Sequence, residues 1–96
     1  MSEPLDEKKP LSVFDVIVIM TDQLSSIAWQ KLGLQPDMMT GQIARDLPEA
    51  KVTIDLIAHL AGIVDGRLDE EDRREMQKLV SNLRLNYVEK SKEASS

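Results

Sequence analysis

The sequence contains no cysteine, a single histidine (His59), and only three aromatic residues, Phe14, Trp29 and Tyr87. Without cysteine there is no disulfide framework, no thiolate metal site and no thiol nucleophile. A histidine-based triad would have to rest on His59 alone. Basic charge is also short. Twelve Lys and Arg stand against seventeen Asp and Glu, a net charge of −5. That balance opposes binding to a phosphate backbone and to an anionic membrane surface. Long apolar runs are missing too. The longest spans residues 16–20, whereas a membrane span needs roughly 20 apolar residues. The opening segment is polar and mixed in charge, unlike a signal peptide. With no cysteine present, the expected location is the cytoplasm.

What remains is a chain of 96 residues, one domain's worth, rich in aliphatic residues. Residues 1–11 carry Pro4 and Pro10 among charges and are expected to be a disordered arm. Residues 89–96 are expected to be a disordered tail. Residues 12–88 are expected to form a single all-α domain of three helices.

The first helix is predicted over about 12–32. Ser12 supplies an N-cap, with Asp15 as a weak capping-box partner, and Gly33 a C′ residue. Its β-branched start could pass for a strand, but about 20 residues without a turn signal exceed a usual strand. The second helix is predicted over about 47–64, opened by Asp46, Pro48 and Glu49 and closed by Asp65 and Gly66. The third is predicted over about 70–88, with Asp69 as N-cap and Glu70, Glu71 and Asp72 in a first turn that favours acids. It shows an ordinary amphipathic stripe of Met76, Leu79, Val80, Leu83 and Tyr87. The first two helices differ from it, because their apolar arcs cover well over half of the first and much of the second. The loop joining them, residues 33–45, is long for a small domain. Leu34, Met38, Met39 and Ile43 suggest that it is packed.

Several residues in combination carry a resemblance: Leu32 and Gly33, Pro36, Thr40 and Gly41, Asp46 and Leu47, Ala50, Ile54 and Asp55, Gly66 and Leu68, Leu83 and Arg84, and Tyr87 and Val88. Over about residues 13–88 the chain resembles a small bacterial family, domain of unknown function 1844. The resemblance implies a bacterial, cytoplasmic, helical domain and no particular activity. It departs from the family before the third helix. Members often carry Lys-Thr-x-Gly-Asn-Leu there, where this chain has Val64, Asp65, Gly66, Arg67 and Leu68. No role of the missing Lys, Thr or Asn side chains carries over.

Residues that could support chemistry each have a simpler explanation. Asp55 and His59 sit four apart on one helix face, as an Asp-oriented base would. Lys51 extends the row, which favours an ordinary exposed contact. The run from Asp69 to Asp72 lacks the alternating ligands of a calcium loop, so capping and dipole complementarity are preferred. Thr40 and Gly41 lack the Lys of a phosphate loop, so a turn with Gly41 at positive φ is preferred. Arg73, Arg74, Lys78 and Arg84 lie among acids and should pair within their helix. No catalytic residue, cofactor or metal is expected, and no nucleic acid.

The wide apolar arcs carry the functional expectation. A three-helix monomer cannot cover both, and large exposed apolar patches mark interaction surfaces. The chain is expected to be a non-catalytic interaction or adaptor module that self-associates as a homodimer, with room for a further, unidentified protein partner. Ile17, Met20, Leu24, Ile57, Leu60 and Val64 would be buried face to face. Met38 and Met39 are either an adaptable partner surface or core filling. Trp29 is either a binding anchor or a core residue. The alternative is a peripheral membrane protein lying on its first helix, with Phe14 and Trp29 as anchors. Asp15, Asp22 and the missing Lys and Arg of that stripe count against it.

Overall fold

The computed structural model describes residues 9–95. Among them there are three helices and no strand. These are α1 (Val13–Lys31), α2 (Leu47–Val64) and α3 (Glu70–Ser95), with one 3-10 turn, Asp65–Arg67, between the last two. The all-α, three-helix expectation is met. Of the arm expected over residues 1–11, residues 1–8 lie outside the described residues, and residues 9–11 precede the first helix.

Each helix begins where side-chain chemistry begins it. The Ser12 hydroxyl accepts from the Phe14 amide at 3.2 Å. The Asp46 carboxylate accepts from the Glu49 amide at 3.0 Å, and Asp69 accepts from the Asp72 amide at 2.8 Å. Three otherwise unpaired helix-end donors are satisfied in this way. At the other end of α1, the Gly33 amide donates to the Gln30 carbonyl and the Leu34 amide to the Trp29 carbonyl, each at 3.0 Å. That is a Schellman closure. It requires positive φ at Gly33, which stands at +83°.

A Cβ at Gly33 would also meet the Arg45 Cβ at 3.2 Å, whereas Gly41, at φ +74°, has nothing within 4 Å. Both Gly→Ala changes therefore incur left-handed backbone strain, about 1–2 kcal/mol. Gly33→Ala should be the more costly, because it adds a steric contact. Urea unfolding of the two variants gives the order.

The expected tail from residue 89 is corrected for residues 89–95. α3 continues to Ser95. No Gly or Pro interrupts this stretch, and Lys90 pairs with Glu93 one turn on, at 3.3 Å. Arg45, from the loop before α2, reaches the Lys90 carbonyl and the Glu93 carboxylate, each at 3.4 Å. The helix end is thus tied to the rest of the domain.

The core is small and aliphatic. Ala28 and Leu32 of the α1 end, Ala50, Ile54 and Ile57 of α2, and Leu83 of α3 are fully or almost fully buried together. Leu24, Trp29, Leu47, Leu79, Val80 and Tyr87 pack around them. The smallest dimension of the protein is 18 Å, about two helix diameters. In so thin a body each helix keeps one side open.

Candidate interaction face

α1 and α2 run antiparallel. The Lys31 carbonyl accepts from the Asp46 amide at 2.8 Å, and the Lys31 ammonium meets Glu49 at 2.9 Å. Glu49 holds the Lys31 ammonium protonated beyond its usual range, first through that hydrogen bond and then through its charge. At the far end the Arg67 guanidinium lies 4.0 Å above the Phe14 ring, a cation–π contact. Arg67 belongs to the segment where the chain departs from the family pattern. So does Asp65, which lies 3.7 Å from Arg73. Arg73 also meets Glu70 at 3.4 Å within its own helix, so the expected intrahelical pairing holds there.

α3 covers only one side of this helix pair. On α1, Val18, Thr21 and Asp22 border α3. On α2, Ala58, Ala61 and Gly62 border it. At about 100° per residue, Val13, Val16, Met20 and Ile27 follow one another on a different sector of α1, turned away from α3. Val52, Leu56 and Ile63 do the same on α2, with Leu60 between them and the core. Val13, Met20, Val52, Leu56 and Ile63 are exposed, and Val16, Ile27 and Leu60 are half-buried. The result is one aliphatic surface spanning both helices on the side opposite α3.

The residues expected to make the face separate into three groups. Met20 and Leu60 belong to the open surface. Ile17 and Leu24 are half-buried, with Leu24 packed on the core. Ile57 and Val64 are corrected, because both are fully buried within the single chain and have no surface to offer a partner. Phe14 is half-buried beneath Arg67, and Trp29 packs against the core cluster. Val52, Leu56 and Ile63 lie on the broad apolar arc of the second helix, but only the structure shows that theirs is the half left uncovered.

The loop between α1 and α2 is corrected as well. It is ordered by hydrogen bonds and not by apolar packing. Met38 is 70% exposed and Met39 87%, and Leu34 and Ile43 are exposed too. Asp37 organises the turn. Its carboxylate accepts from the Met39 amide at 2.9 Å and the Thr40 amide at 3.0 Å. Its carbonyl accepts from Gly41 at 2.7 Å, and its amide donates to the Gln42 carbonyl at 2.8 Å. The Thr40 hydroxyl accepts from the Gln42 amide at 3.2 Å. Buried Gln30 accepts from the Met38 amide at 3.0 Å through its side-chain carbonyl. Met38 is thereby held beside Met20, Leu24 and Ile27, where these side chains line one shallow depression.

The two amides, Thr40 first, hold the Asp37 carboxyl below the usual carboxylate range. A carboxylate whose native value is lowered stabilises the fold above its unfolded value. That contribution disappears as the pH falls through the native value. The Asp37 carboxyl should therefore titrate below an ordinary aspartate in an NMR pH series. Exchange protection of the Met39 and Thr40 amides should fall over the same interval. A midpoint at or above the ordinary value would refute this role.

The polar row on α2 gives no sign of assembled chemistry. Lys51 and Asp55 form an exposed pair at 2.8 Å, and their hydrogen bond raises the Lys51 pKa. His59 is exposed one turn further on. No group of three or more His, Asp or Glu among the described residues could hold a metal ion. No helix among them is long and apolar enough to cross a membrane.

Fold and surface together define a small all-α protein with one open aliphatic face. Residues 14–89 match the family described as domain of unknown function (DUF1844), and the chain belongs to that family. No curated protein and no solved structure matches it.

Proposed function

We propose that this protein is a non-catalytic helical interaction module of the bacterial cytoplasm. It would self-associate by setting its α1/α2 face against the same face of a second copy. The observation that carries the reading is the continuous run of uncovered aliphatic side chains, from Val13 to Ile27 on α1 and from Val52 to Ile63 on α2. Left in water, such a surface costs roughly 25 cal/mol for each Å² exposed. A two-fold pairing would cover both copies with one self-complementary patch. Spacings of three and four residues suit the shallow crossing of a four-helix bundle. The exposed loop methionines would extend the patch at one end, where an unbranched thioether adapts to its neighbour.

Sedimentation equilibrium at micromolar concentration tests the reading. The expected mass is twice the chain's 10.8 kDa. A stable, compact monomer would overturn it. Flotation with anionic liposomes, if observed, would instead support the membrane reading. The acidic net charge and the lack of Lys and Arg on the polar stripe of α1 disfavour that outcome.

A further inference from the structure

We propose that the groove between α1 and α3 receives a basic amphipathic peptide segment of another protein. Its apolar side chains would point down and its Lys or Arg would reach the rims. The groove lies away from the α1/α2 face, so the proposal does not depend on self-association.

The groove has a volume of about 370 Å³ and is lined by Val18, Leu68, Met76 and Leu79 between the two helices. All four are half-buried. Thr21 lies among them fully buried, with its hydroxyl donated to the Ile17 carbonyl at 2.8 Å. The floor therefore takes apolar groups. The rims do not: Asp22 stands on α1, and Asp72 and Glu75 stand on α3, all three exposed.

Among the described residues, no base forms an ion pair with these carboxylates. None of the three side chains is hydrogen-bonded or ion-paired with another described residue. Of the nearby bases, Arg67 lies over Phe14 and Arg73 meets Asp65 and Glu70, while Arg74 and Lys78 share a depression with Glu75 without pairing to it. The dipole of α3 accounts for Asp72 in its first turn. It does not account for Asp22, which sits in mid-helix, where Asp is a poor helix former. Acids on both rims and an apolar floor complement a segment that alternates aliphatic and basic residues. The long stems of Lys and Arg also lie well along apolar surface. This is helix-in-groove recognition with electrostatic selection. Nucleic acid has the wrong charge for the site, and a second copy of this acidic chain would be repelled from it.

The probe is a helical peptide built only of Leu and Lys, with Leu on one face, titrated into the full chain by NMR. Saturable micromolar binding is expected, with amide shifts centred on Val18, Thr21 and Leu79. The triple variant Asp22→Asn, Asp72→Asn, Glu75→Gln should weaken it about tenfold or more, and Met76→Gln should do so independently. Three results would overturn the proposal: unchanged affinity in the triple variant, equal binding of a peptide with every Leu replaced by Gln, or shifts confined to the α1/α2 face. That last result would leave the self-association reading intact.

Discussion

Leu56→Glu is expected to convert the proposed dimer into a monomer without unfolding it. Leu56 projects from α2 on the side away from α3 and is 42% exposed in the single chain. Its replacement therefore disturbs little of the protomer's own packing. Glu is also a good helix former. In a paired face the same carboxylate would be buried without a partner, and an unpaired buried charge is among the most damaging changes an interface can suffer. Two-fold symmetry places the charge in the interface twice. A loss of at least 100-fold in dimer affinity is expected, about 2.7 kcal/mol. Sedimentation reads the mass, and circular dichroism reads the retained helix. Leu85→Glu is the matched control, since Leu85 is an exposed leucine on α3, outside the proposed face. It should leave the mass unchanged. If both variants sediment like the parent chain, the face has been misassigned.

Leu83→Ala should do the opposite, damaging the fold itself. Leu83 is the one residue of α3 buried as fully as the hairpin core. Around it Leu79, Val80 and Tyr87 are only partly covered. Truncating a buried leucine costs about 2–5 kcal/mol, the range reflecting how far the cavity collapses. A domain of this size draws only about 3–5 kcal/mol from its core. Urea unfolding should show a midpoint shifted far toward zero, or no cooperative transition at all. A loss under about 1 kcal/mol would mean that α3 is held mainly by its rim contacts. Any stabilisation by dimerisation must be kept constant by comparing the variants at one protein concentration.

The parts of this structure legible in advance are the local ones. Ser12, Asp46 and Asp69 act as caps through atoms within three residues of themselves, and Gly33 closes α1 through its own φ. Such features need no knowledge of the tertiary fold. The azimuth of packing does need it. Periodicity revealed that α2 was apolar around much of its surface, but Ile57 and Leu56 are adjacent in sequence and equally aliphatic. Only the positions of α1 and α3 decide that the first is buried and the second left open. Gln30 is hidden for a similar reason, since its buried carbonyl is satisfied by the Met38 amide eight residues away. The exposed methionines looked like loop packing because apolar composition does not reveal that Asp37 holds the turn through backbone amides. The extension of α3 through residues 89–95 was within reach, as nothing in that stretch stops a helix.

The Asp37 turn also bears on the order of events in time. It joins α1 to α2 using bonds among residues 30–46, so closing the hairpin requires little loop entropy. α3 meets the hairpin through two long contacts, Arg73 with Asp65 and Arg45 with Lys90 and Glu93, and is secured mainly by side-chain burial around Leu83. The hairpin is accordingly expected to be formed at the rate-limiting barrier, with α3 docking after it. In a denaturant chevron, Leu83→Ala should then accelerate unfolding and barely slow folding, whereas changes at Asp37 or Gly33 should retard folding itself.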